Sequence, residues 1–167
     1  MNVNEAVSFL KGYQPMPSDE DLVTQGEVLK KYEEVRLFFL NNPDPVCIPL
    51  FLHSFGEGDG LGVYQLVEEN LVLFSKDEVL PHLISALGSP FKSVRYWCSQ
   101  ISEFFPDLQL ISLLLKIAES DGFDSRYASI VALSQISNPV VKEKLLIIKE
   151  NEKDEELIEL IEDILFQ

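Results

Sequence analysis

The chain has 167 residues, 46% of them hydrophobic, and a formal net charge of −15. That is enough apolar material for one domain, or a short repeat array, with its own core, and too much for a disordered segment. So negative a chain repels phosphate backbones, which disfavours generic binding to DNA, RNA or anionic membranes and favours solubility and a basic protein partner.

The start, Met1-Asn2-Val3-Asn4-Glu5, has neither the positive region nor the apolar run of a signal peptide. Apolar runs such as Leu113-Leu114-Leu115 are too short to span a bilayer. Cys47 and Cys98 lie far apart in apolar helical stretches. They are expected as buried thiols in a reducing compartment, and the protein is expected in the cytoplasm.

Residues 1–43 read as an N-terminal helical cap. Glu5 to Leu10 predicts a short helix, and Pro15 and Pro17 break the chain after it. Ser18-Asp19-Glu20-Asp21 supplies a cap and negative charge to a helix start, which suits the helix dipole. From there Leu22, Leu29, Tyr32, Val35 and Phe39 keep helical spacing until Asn41-Asn42-Pro43-Asp44-Pro45 stops the helix.

Residues 44–167 divide into four helix–turn–helix units, at about 44–74, 75–106, 107–137 and 138–167. The turn of the first is the glycine-rich stretch Gly56 to Gly62, expected to be a flexible connection and, by its length, a candidate contact loop. Ser75 and Glu78 have capping-box spacing at the start of the second unit, and Gly88-Ser89-Pro90 forms its turn. The third begins at Asp107 and turns at Asp121-Gly122. The fourth begins at Asn138-Pro139, an N-cap followed by proline at the first helical position.

A 31-residue period links the second helices. Val94-Arg95-Tyr96-Trp97-Cys98 is echoed by Ser125-Arg126-Tyr127-Ala128-Ser129, with Val63-Tyr64-Gln65-Leu66-Val67 one step before and Glu156-Leu157-Ile158-Glu159-Leu160 one step after. The face carried by Val67, Cys98, Ser129 and Leu160 continues through Leu71, Ser102, Leu133 and Ile164 to Phe74, Phe105, Ile136 and Gln167. These spacings put it on one side of a helix, toward the first helix of the unit. The first helices look apolar almost all round, as in Leu110, Ile111, Leu113, Leu114, Leu115 and Ile117, which predicts a neighbour on both sides. Pro49 and Pro81 fall inside first helices, where each is expected to remove a backbone bond and bend its helix.

The proline-containing first helix, the Val94-Arg95 pair with its copy Ser125-Arg126, and the small or apolar Ala128 and Ala132-Leu133 behind it resemble the HEAT-repeat family and its bacterial HEAT-like relatives. The likeness covers about residues 44–167, and Tyr64 and Leu157 stand where the outer units would carry the arginine. It implies an all-α, right-handed α-α superhelix whose second helices line a concave face. It also implies that Arg95 and Arg126 form a structural ladder to acidic residues or carbonyls of an adjacent unit. On such a face Gln65, Tyr96 and Tyr127 would make a row, with Glu68, Glu69 and Gln100 beside it, as candidate partner-binding residues. Trp97 is expected at a helix–helix seam.

No catalytic constellation stands out. The Gly56 to Gly62 loop lacks the lysine of a phosphate cradle and the oxygens of a calcium loop. His53 and His82 are 29 residues apart, off the repeat period, and need not face each other. No Cys-x-x-Cys, His-Glu-x-x-His or Gly-x-Ser-x-Gly motif occurs, so no metal, cofactor or nucleophile is expected. The stretch from Glu150 to Asp163 holds eight acids against one lysine, with Leu157, Leu160, Ile161 and Ile164 at helical spacing: an acidic amphipathic closing helix. The expected function is a non-enzymatic protein-binding module, in its sharpest form an acidic immunity or antitoxin-like protein that masks a basic partner. A HEAT-like DNA glycosylase is the alternative, disfavoured by charge although residues 78–106 balance two acids against two bases. A repeat resembling tetrapyrrole lyases rests on fold alone.

Overall fold

The computed structural model describes residues 1–166, and Gln167, the last residue of the repeat face, lies outside them. Among the described residues the chain is all-helical, with eleven α-helices and three short 3-10 turns. It divides into two compact units, Met1–Cys98 and the part from Ser99 onward.

In the first unit, α1 (Val3–Lys11) begins two residues before the expected start. The reason is a capping box: the Asn2 side chain accepts from Glu5 N–H, and the Glu5 carboxylate accepts from Asn2 N–H, each at 3.0 Å. The single helix expected from Leu22 to Phe39 is in fact two, α2 (Asp19–Thr24) and α3 (Gly26–Asn41), with a break at Gln25, whose ψ is 44°. The Thr24 hydroxyl donates back to the Asp21 carbonyl at 2.8 Å and closes the end of α2.

The helices α4 (Cys47–Leu52), α5 (Glu68–Leu71), α6 (Lys76–Leu87) and α7 (Lys92–Ile101) follow, with a 3-10 turn at Tyr64–Val67 leading into α5. Pro49 stands in the first turn of α4, where amide hydrogens have no intrahelical acceptor, so it removes no bond there. Pro81 lies well inside α6. Helices α1 and α3 pack against α4 and α5, and α4 packs against α6. The centre is aromatic. Tyr32, Phe39, Phe51, Phe55 and Tyr64 are fully buried and meet edge to face at centroid distances of 5.5–6.0 Å.

The second unit holds α8 (Ile111–Ser120), α9 (Phe123–Ser134), α10 (Pro139–Asn151) and α11 (Glu155–Leu165). Helix α8 packs along α9 and α10 along α11, while α8 also touches α10 and α9 touches α11. This is two helical hairpins side by side. Asn138 caps α10 where the sequence predicts, its side chain accepting from Val140 N–H at 2.8 Å, whereas Asp107, accepting from Gln109 N–H at 3.0 Å, caps a 3-10 turn (Leu108–Leu110) that leads into α8. With the Ser75–Glu78 box at the head of α6, the caps recur 32 and then 31 residues apart.

The periodic face is buried as expected at Val67, Cys98, Ser129, Leu71, Ser102, Leu133, Phe105 and Ile136, while Phe74 is only half-buried. In α11 the register turns: Leu157 and Ile161 are fully buried, while Leu160 and Ile164 are half-buried. Helix α8 departs from the expectation of burial all round. Leu110, Leu114 and Ile117 are buried, but Ile111, Leu113 and Leu115 are only half-buried, because α9 and α10 cover just part of its circumference.

Candidate protein-binding surface

Gln65 is exposed in the turn before α5, Glu68 is half-buried and Glu69 exposed. Glu69 does not simply point to solvent. Its carboxylate lies 3.2 Å from Nη1 of Arg36, a side chain only 5% exposed. Arg36 also makes a two-pronged contact with Glu33, Nε to Oε2 and Nη2 to Oε1, both at 2.8 Å. The Glu33 hydrogen bonds push the guanidinium pKa above its ordinary value, outweighing burial, which acts the other way. Asn70 donates to the Arg36 carbonyl at 2.8 Å, and its buried Oδ1 has no hydrogen-bond partner among the described residues. Sequence reasoning missed this clamp. Its only signal was the i,i+3 spacing of Glu33 and Arg36.

The glycine-rich loop is tied down rather than loose. The Asp19 carboxylate accepts from Asp59 N–H at 3.0 Å and Gly60 N–H at 2.8 Å, while Asp19 N–H donates to the Glu57 carbonyl at 2.9 Å. Trp97 Nε1 donates to the Gly58 carbonyl at 3.0 Å, Gly56 N–H donates to the Tyr64 hydroxyl at 3.2 Å, and the Ser93 hydroxyl donates to the Phe55 carbonyl at 2.8 Å. Gly58 has a φ of 103°, and a Cβ there would fall 2.2 Å from the Asp19 carboxylate. The backbone that a contact loop would offer a partner is therefore largely engaged within the chain.

Trp97 is 6% exposed and stacks on Phe55 at 5.7 Å, which places it in the core. Tyr96 is half-buried and leans edge-on against Trp97 at 5.1 Å. Gln100 is half-buried one helical turn further along α7. In the second unit Tyr127 is half-buried and tilted against Phe123 at 6.0 Å.

Both arginines of the periodic motif serve the hairpin they belong to. Arg95 Nη1 donates to the Ser89 carbonyl at 2.8 Å, just beyond the end of α6. Arg126 Nε donates to the Ala118 carbonyl, near the end of α8, at 3.2 Å. Ala118 lies in the last turn of α8 and Ser89 two residues past α6, so each guanidinium sits by the negative end of a first helix, a natural place for a cation. Arg126 also pairs with Glu152, which follows α10 in the next hairpin and whose side chain is 6% exposed. The second carboxylate oxygen of Glu152 accepts from the Lys153 and Asp154 amides at 2.8 and 2.9 Å. The pair walls a cleft of about 250 Å³ between α8, α9 and α10.

His53 and His82 are both half-buried and close enough to act on each other. Burial, and then the charge of His82, lower the His53 pKa. The repeat period did not anticipate this proximity, because His53 follows the end of α4 while His82 lies within α6, and these two helices pack together. Cys47 and Cys98 are buried. Burial pushes the Cys47 thiol up to about 12 and raises Cys98 as well, so both stay protonated near neutrality. Among the described residues no group of three or more His, Cys, Asp or Glu side chains is placed to hold a metal ion, and no helix is long and apolar enough to cross a membrane. Comparison with protein-family models, with curated proteins and with solved structures returned no match.

Proposed function

We propose that this protein is a non-enzymatic protein-binding module, a HEAT-like right-handed superhelix with an N-terminal helical cap, whose acidic surface engages a basic protein. The observation that carries this reading is the use made of arginine. All three arginines of the chain, Arg36, Arg95 and Arg126, are spent on internal carboxylates or carbonyls. Arginine is the side chain best suited to phosphate, so the outer field is left to carboxylates and scattered lysines. Helix pairs with caps 31–32 residues apart support the repeat architecture.

In its sharpest form the module is an immunity or antitoxin-like inhibitor of a basic enzyme, for which strong negative charge accelerates association. The partner-binding residues are Gln65, Glu68, Tyr96, Gln100 and Tyr127, with Glu69 shared between the surface and Arg36. The test is capture from native lysate with the purified chain as bait, eluted by rising salt and identified by mass spectrometry. A single basic protein released stoichiometrically is the expected result. Recovery of nucleic acid in place of protein would revive the glycosylase alternative.

A further inference from the structure

The uncovered side of α8 faces a groove shared with the first half of α10. Leu108, Ile111, Leu115 and Val140 line this groove of about 600 Å³, and Leu108 and Val140 are 60% and 47% exposed. Two lysines, Lys116 on α8 and Lys144 on α10, line it as well, and both are exposed. The groove also takes in Asn138, the cap of α10, so the positive end of that helix dipole lies at its edge. One acid, Glu119, lines the far end. In a chain of net charge −15, an apolar strip beside two lysines and a helix N-terminus is a local reversal of sign.

We propose that the α8–α10 groove is a docking site for an acidic amphipathic helix of a partner protein. The lining of α8 runs from Ile111 to Glu119, about 12 Å at the α-helical rise, which matches apolar anchors at i, i+4 and i+7. Leu108, Ile111, Leu115 and Val140 take the anchors, and Lys116 and Lys144 take carboxylates on the flanks of the ligand helix. Glu119 sets the polarity, because an acid placed against it is repelled. The occupant is of opposite sign to the basic partner proposed above, so the two sites stand or fall separately.

The experiment uses the full chain and two fluorescent helical peptides with leucine at i, i+4 and i+7. One carries glutamate at the flanking positions, the other lysine. Fluorescence anisotropy should show saturable binding of the glutamate peptide, against the net charge of the protein. The double substitution Lys116→Glu with Lys144→Glu should weaken it at least tenfold. Lys30→Glu, an exposed change in the other unit, should leave it unaltered, and Glu119→Gln should tighten it. Unchanged melting curves verify that the variants are folded. Equal or better binding of the lysine peptide overturns the proposal and leaves the acidic-surface reading intact. So does an affinity insensitive to the double reversal. No peptide binding, together with a dimer that the double reversal dissolves in sedimentation, assigns the groove to a second copy and also overturns it.

Discussion

The carboxylate of Asp19, at the first residue of α2, holds the amide hydrogens of Asp59 and Gly60 at 3.0 and 2.8 Å, forty residues further along the chain. A negative side chain in a nest of backbone amides makes charge-assisted hydrogen bonds. The acidic stretch before Leu22 is thus the anchor that fixes the glycine loop.

Removing that anchor should be costly. Asp19→Ala deletes two charge-assisted bonds and should destabilise the protein by about 2 kcal/mol in urea unfolding. Gly58→Ala should cost at least as much, since its φ of 103° and the 2.2 Å approach of the Asp19 carboxylate both resist a Cβ. Glu20→Ala, an exposed change on the same helix, should shift stability by less than about 0.5 kcal/mol.

The Arg36 clamp allows a paired comparison. Glu33→Ala leaves a guanidinium 5% exposed with Glu69 as its remaining carboxylate and should cost about 2 kcal/mol. Glu34→Ala breaks only the half-exposed contact with Lys31 and should cost less than about 0.5 kcal/mol. Equal effects in chemical denaturation would show that the clamp is not structural.

Stability should fall on mild acidification because of His53. Its folded pKa is lowered from the ordinary value of 6.5, first by burial and then by His82. Between that lowered value and 6.5 the unfolded chain binds more protons, so stability is full above 6.5 and is lost as pH falls through the window. Glu78 adds a second loss at lower pH, because the Ser75 amide and hydroxyl hold its pKa below the ordinary carboxylate value. Melting temperatures from pH 8 down to pH 5 should decline in the wild type and less so in His53→Gln.

Native Cys47 and Cys98 should resist a thiol reagent, and their modification rate should rise in step with unfolding. Trp97, the one tryptophan of the chain, packs on Phe55 and Tyr64. Its fluorescence should therefore be blue-shifted and report the same transition. Rapid labelling of either cysteine under native conditions would contradict the buried placement.

What was legible in the sequence was local. The Ser75–Glu78 box and the Asn138–Pro139 start were readable because a cap and its partner lie within one turn. The break at Gln25 was not, because Leu22 and Leu29 keep helical spacing across it. The periodic arginines were visible, but Arg36 was not, since a charged side chain on a polar stretch gives no sign of burial. The Asp19 anchor depends on residues forty apart, and the open side of α8 on which neighbours happen to cover it. Neither is encoded in a periodicity. Glu69 was grouped with the candidate binding residues by its place in the chain, whereas its tie to Arg36 needed the fold.

The most direct test of the account is the association rate of the captured basic partner as a function of ionic strength, measured for the wild type and Glu68→Lys. Steering by the acidic surface predicts a rate that falls steeply with salt and is slowed several-fold by the reversal at low salt, with the dissociation rate little changed. A rate independent of salt and of Glu68 would contradict it.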